Sequence, residues 1–320
     1  MSRGGVVLGV MLALLALAAP WLRVHDPATV HRDHVLAPPM RVHVRDAEGH
    51  WRWPFVRRLV VTDRLSRTYE EDATGTRPLV GATSRATADV PWFPLGTDAL
   101  GRDVWSRLVT GARLSLGIAA LAALGALALG IVAGGVAGFA GGLTDSLVMR
   151  ACELVLILPG LYVVLALRSA LPLVLAPMAL FTAVSAVLAI AGTPQVARAV
   201  RAVAATERDR DYVMAARATG RHPLAIFLRH VLPAARETVV AQALLLVPAF
   251  VLAEATLSFM GLGFDAATPS WGTALQDAAN VRAIAEYPWV LAPAAAIALT
   301  VLSLTLMADG RDIPPAGDRL

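Results

Sequence analysis

The chain has no lysine. All 28 of its basic side chains are arginine, spread over 320 residues. A P-loop uses a lysine to reach the β- and γ-phosphates of its nucleotide, so an ATPase site of that kind is excluded. There is one cysteine, Cys152, inside an apolar run. It has no partner for an internal disulfide and fits the role of a buried packing thiol. Charge is scarce: 16% of residues carry one, against about 25% in soluble domains. The hydrolase signatures H-E-x-x-H and G-x-S-x-G are missing too. Apolar residues are what the chain has in quantity. They make up 57% of it, and the mean hydropathy is +0.61. A multi-pass membrane protein is the reading that follows. In that setting a net charge of +4 reflects basic loops at the inner membrane surface and does not call for nucleic acid.

The first apolar run covers about Val6 to Leu22. Ala16 and Ala18 fit a signal-peptide cleavage pattern, but the run continues unbroken through Trp21 and Leu22. An uncleaved span over residues 1–22 is the preferred reading, and either reading puts the next segment outside the cytoplasm. Residues 23–113 are polar and proline-containing. The alternation on both sides of "DAEGH" predicts a β-hairpin, and "TYEEDATGTRPLVGATSRATADVP" reads as loops. Asp103 is a candidate N-cap for a helix lying at the membrane surface before the next span. Five further runs follow, at about 114–137, 147–167, 171–191, 239–260 and 289–307. Each is near the roughly 20 residues needed to cross a bilayer. The expected fold is an all-α polytopic membrane protein with six transmembrane helices and a small, partly β extracytoplasmic insertion after the first helix. Its core is a five-helix unit over 114–320.

A polar loop over about 193–236 divides the fourth run from the fifth. It holds Arg198, Arg201, Arg208, Arg210, Arg217, Arg221, Arg229 and Arg236 against few acids. Such a loop belongs on the cytoplasmic side, which also puts both termini there. Within it, residues 211–233 read as two short helices. Asp211 is a candidate cap for the first. Gly220 suits the left-handed residue that ends it, and Pro223 suits the first position of the second. Leu224, Phe227, Leu228 and Val231 recur at helical spacing, and Leu232-Pro233 closes the pattern. Three uses compete for the hairpin: a basic amphipathic loop on anionic lipid, a DNA-binding helix-turn-helix, or a docking element for a cytoplasmic protein. Being tied to spans at both ends disfavours DNA.

Two features lie inside the apolar runs. Gly130, Gly134 and Gly138 recur every four residues, the pattern of close helix packing. Glu254 is an acid in the fifth run, either lining a translocation pathway or acting as a hydrogen-bonded interhelical acid.

"AARATG" followed nine residues later by "HVLP" resembles the coupling loop of binding-protein-dependent ABC importer permeases. "PLGTDALGRDVWSRLVTGARLSL", "EATLSFMGLGFDAATPSWGTAL" and the tail "ADGRDIP" resemble the oligopeptide/dipeptide branch of that family, second permease type. Met214 stands where the family has an acid, and His230 where it has isoleucine. The resemblance implies an ABC importer type I-like permease in the bacterial inner membrane, carrying peptides or similar solutes. ATPase coupling would fall to Tyr212, Ala215, Ala216, Arg217, Gly220, Pro223, Leu232 and Pro233, with Glu254 as pathway candidate. The implied partners are a second homologous permease, two ABC ATPase subunits, an extracytoplasmic solute-binding protein and membrane lipid. ATP would be used by those partner subunits. No cofactor, metal or catalytic site is expected in this chain. The rival is a stand-alone secondary transporter or channel, which needs ion-coupling carboxylates in broken helices. Glu254 is the one candidate for that role.

Overall fold

The computed structural model describes residues 3–46, 48, 50–63, 66–79, 90–157 and 176–309. Helix α1, Arg3–Leu22, carries no charged side chain after its first residue. Its large side chains, such as Met11, Leu14 and Leu17, are exposed. A helix apolar on its exposed surface fits lipid, not water.

The polar segment that follows builds a three-stranded antiparallel sheet in the order β1-β2-β3. The strands are β1 (His43–Arg45), β2 (Trp51–Asp63) and β3 (Thr68–Pro78). β1 and β2 form the hairpin expected around "DAEGH", with His43 opposite Phe55 and Arg45 opposite Trp51. Strand β3 corrects the loop reading of "TYEEDATGTRP". Its acids and Gly75 are poor strand formers in isolation, but β2 offers a long free edge, and pairing from Thr68 to Pro78 satisfies both backbones. Val56 and Leu59 point from β2 into a small core with Ala37, Met40, Val90 and Phe93.

Helix α2, Val104–Ala140, is one unbroken helix. A separate surface helix ending near Arg113 is therefore not seen. Its start is capped as expected. Asp103 Oδ1 accepts from Trp105 N at 3.2 Å and Oδ2 from Ser106 N at 3.2 Å. At 1.5 Å per residue α2 is roughly 55 Å long, well over the ~30 Å of a hydrocarbon core. The remaining helices are α3 (Gly142–Ile157), α4 (Pro177–Arg208), α5 (Asp211–Ala218), α6 (Pro223–Ala234), α7 (Arg236–Phe259), α8 (Trp271–Ala274), α9 (Val281–Glu286) and α10 (Ala292–Asp309).

Among the described residues five helices are long and apolar enough to cross a membrane. They are Gly5–Leu22, Val104–Ala140, Pro177–Arg208, Arg236–Phe259 and Pro288–Ala308. The chain is a helical membrane protein with five such spans in view. The expected run at 147–167 is described as helix only as far as Ile157, and its remainder lies outside the described residues. So does the start of the 171–191 run, and so do the tail residues from Gly310 onward. Helix α4 also continues past Ala191 to Arg208, so the first part of the polar loop expected from about 193 is helical.

The chain divides into two compact units. One comprises Met1–Val6, Ile118–Ala253 and Val301–Leu320; the other comprises Val7–Gly117 and Glu254–Thr300. In the first, the glycine stripe of α2 faces α4. A Cβ on Gly130 would strike Val196, one on Gly134 the carbonyl of Ala197, and one on Gly138 the carbonyl of Arg201. The bare stripe is what lets the two backbones approach this closely.

Candidate coupling surface and buried carboxyl

The 211–233 hairpin belongs to the first unit. Arg210 takes the N-cap position of α5, so the helix starts one residue earlier than expected and Asp211 is its first residue. An acid in that first turn still faces the positive end of the helix. Thr219 is the C-cap, and Gly220 follows with φ +74°. This left-handed residue carries the turn, as glycine can without a Cβ penalty. His222 then caps α6, its Nδ1 accepting from Leu224 N at 3.3 Å, with Pro223 at the first helical position.

Phe227–Val231 form a π turn inside α6, and Leu232 N bonds back to the Phe227 carbonyl. The turn lies just ahead of Pro233, which has no N–H to give an α-helical ladder. Pro233 therefore does not end the helix at Leu232, as the sequence pattern implied. A wider turn accommodates it and the helix runs on to Ala234. Burial splits the expected apolar face. Val231 and Ile226 are fully buried, while Leu224 and Leu228 are 58% and 53% exposed. Ile226 and Val231 are five residues apart, an interval that a π turn brings to one side and a 3.6-residue period does not.

Val213, Ile226 and Val231 hold the hairpin down. Phe227 sits against Gly135, where a Cβ would collide with its ring. Arg217 lies over the Phe139 ring at 4.6 Å. Tyr212 donates a hydrogen bond to Glu207, and its ring is 5.6 Å from that of His230. The upper surface is open. Tyr212, Ala215, Arg217, Gly220, Pro223 and Pro233 are exposed, and Ala216 and Leu232 are half-buried. All eight proposed coupling residues thus share one short hairpin. Met214, Leu224 and Leu228 join the exposed surface, although the sequence pattern assigns none of them to coupling. A Cβ at Gly220 would meet nothing within 4 Å, so the tip is free for a partner.

Glu254 belongs to the second unit. It is 1% exposed. Its Oε1 accepts from Ser258 Oγ, one helical turn on, at 2.7 Å. Ser115 of α2 and Ser270 are the other hydroxyls against the carboxyl, and Oε2 has no partner among the described residues. The surrounding backbone is tightly tied. Ser270 and Thr273 cap α8 reciprocally, Trp271 N donates to Ser115 Oγ at 3.2 Å, and Trp271 Nε1 to the Leu108 carbonyl at 3.1 Å. Within this chain Glu254 faces a serine cage and not solvent.

The chain thus has five described spans, an exposed helical hairpin and no lysine for a P-loop. It belongs to the family of binding-protein-dependent transport system inner membrane components, which it matches over residues 126–310. Members of that family are permeases without an ATPase site of their own. Among its relatives is the di/tripeptide transport system permease protein DppC of Pseudomonas aeruginosa (strain UCBPP-PA14). The two are 34% identical over 309 residues, covering 96% of this chain and 84% of that one. The oligopeptide transport system permease protein OppC of Bacillus subtilis (strain 168) is 35% identical over 234 residues, covering 71% and 73%. The glutathione transport system permease protein GsiD of Escherichia coli O6:K15:H31 is 34% identical over 219 residues, covering 68% and 69%.

Proposed function

We propose that this chain is one of two permease subunits in an ATP-driven importer of peptides or similar small solutes. It would cross the inner membrane six times with both termini in the cytoplasm, leaving the β-sheet region outside. Two ATPase subunits would dock on the 211–233 hairpin, and a solute-binding protein would deliver substrate from the other side. The observation that carries this reading is the hairpin itself. It is anchored by buried Val213, Ile226 and Val231, and it is open where Tyr212, Ala215, Gly220 and Pro223 meet solvent. ATP bound by the partners would drive transport only through contacts that differ between the inward- and outward-open states. This chain would hold no cofactor. Names such as di/tripeptide and glutathione permease among the relatives support a peptide-like substrate.

Sidedness is tested with single cysteines in a Cys152→Ser background, since Cys152 is the one native thiol. Arg221→Cys should react with an impermeant maleimide only after the membrane is opened, and Arg52→Cys should react in intact spheroplasts. The opposite pattern would overturn the orientation. Uptake of labelled di- and tripeptides by proteoliposomes holding both permeases and both ATPases tests the activity. Uptake that persists without the ATPases would point to a secondary transporter.

A further inference from the structure

Three histidines fall within ten residues of one another just after α1, and the fold gathers them around Phe93. The rings of His25, His31 and His34 lie 5.2, 5.0 and 5.3 Å from the Phe93 ring. His25 and His31 meet edge-on at 5.0 Å, and His31 and His34 at 6.5 Å. His25 Nδ1 is 3.3 Å from Asp103 Oδ2, with the two side chains 5% and 0% exposed. The Nε2 atoms of His25 and His31 are buried and have no hydrogen-bond partner among the described residues.

The same residues are the stitching between the chain after α1 and the start of α2. Val24 N and His25 N both donate to Ser106 Oγ at 3.0 Å. His31 N donates to the Gly101 carbonyl at 2.9 Å, and Leu36 N to the Asp98 carbonyl at 3.1 Å. Ala37 N donates to Thr97 Oγ1 at 2.8 Å. Asp103, the N-cap of α2, also accepts from Ser106 Oγ at 2.5 Å.

We propose that His31 and His34, packed with His25 around Phe93, form an acid-operated latch, which holds residues 24–37 on the N-terminal end of α2 while the two are uncharged and releases them when they are protonated. The charges facing the cluster decide this. Asp103 faces His25 and His31, Asp33 and Arg58 face His34, and the histidines face one another. Asp103 is already committed to Ser106 and the helix end. An imidazolium at His31 would lie between two other imidazole rings and against the apolar face of Phe93, with an Nε2–H that has no acceptor among the described residues. Burial first, then the neighbouring histidine charges, holds His31 below the ordinary histidine range, and burial does the same for His34. The sign follows. Below about pH 6.5 the released segment binds more protons than the latched one, so acidification favours release until the lowered values are passed.

Hydrogen exchange on the assembled importer in nanodiscs reads the latch without reference to transport. Protection factors for peptides covering 24–37, corrected for intrinsic rates, should fall about tenfold or more between about pH 7.5 and about pH 5.5. Each proton taken up on release changes the opening equilibrium by up to about tenfold for every pH step of one. His31→Phe, which keeps a ring beside Phe93 but cannot be protonated, should flatten the profile. Should that variant not assemble, His34→Gln at its half-exposed position should weaken the pH response. His50→Gln, outside the cluster, should leave it unchanged. Flat protection in the wild type would overturn the proposal. So would a transition that survives His31→Phe or, where that variant fails, His34→Gln.

Discussion

The guanidinium of Arg201 grips the carboxylate of Asp145 with two parallel N–H donors, fastening the first turn of α3 to the C-terminal part of α4. The fork geometry suits arginine and not lysine. Its hydrogen bonds hold the Asp145 carboxyl below the ordinary aspartate range. A carboxylate with a depressed pKa adds stability above its unfolded value, about 3.9, and loses that contribution as pH falls through the folded value. Asp145→Asn should therefore lower the melting temperature of the purified protein by a constant amount from about pH 8 to about pH 5. The gap should close below about pH 4. Arg201→Lys should fall between wild type and Asp145→Asn, which scanning fluorimetry in detergent can check.

At the hairpin tip the backbone of Gly220 is left-handed, yet the space around it is empty. Gly220→Asn, which tolerates that conformation, should fold and keep most of its coupling. Gly220→Asp should insert normally but reduce co-purification of the ATPases and uptake by about tenfold, the effect of ~1.4 kcal/mol of lost contact. Wild-type co-purification and uptake in Gly220→Asp would remove the docking assignment.

The α2–α4 contact has no room at Gly134. Gly134→Val would drive its side chain into the Ala197 carbonyl, at a cost of about 1–3 kcal/mol or more. Val132→Ala, at an exposed position two residues away, should be near neutral. Thermal unfolding of the two variants measures the difference.

For Glu254 the two roles separate experimentally. Glu254→Ala would leave Ser258 and its serine neighbours facing a void, costing about 1–3 kcal/mol. If the carboxyl is a brace, melting temperature and uptake fall together, and Glu254→Gln, which retains the acceptor, recovers both. If it lines the pathway, uptake falls in both variants while the melting temperature of Glu254→Gln is unchanged.

Much of the hairpin was readable from residue chemistry. Gly220 as the left-handed stop and Pro223 as a helix start are local preferences that neighbouring structure did not override. Four-residue glycine spacing likewise announced a packed stripe. The joint burial of Ile226 and Val231 was not readable, because a π turn changes the angular step between residues. The β3 strand was missed because its stability resides in the free edge of β2 and not in its own composition. The Asp145–Arg201 pair spans two helices, and neither residue's neighbours in the chain hint at the other.

The sequence by itself determined that this chain lives in a membrane, that it cannot hydrolyse ATP through a P-loop, and where its basic hairpin turns. Those conclusions rest on composition, on residue types that are absent, and on backbone preferences, all properties of single residues or short windows. Tertiary structure decided which faces of the hairpin meet solvent, what cages Glu254, and that His25, His31 and His34 converge on Phe93 and Asp103. Those are contacts across irregular segments with no repeat to read, so only the folded chain brings them together.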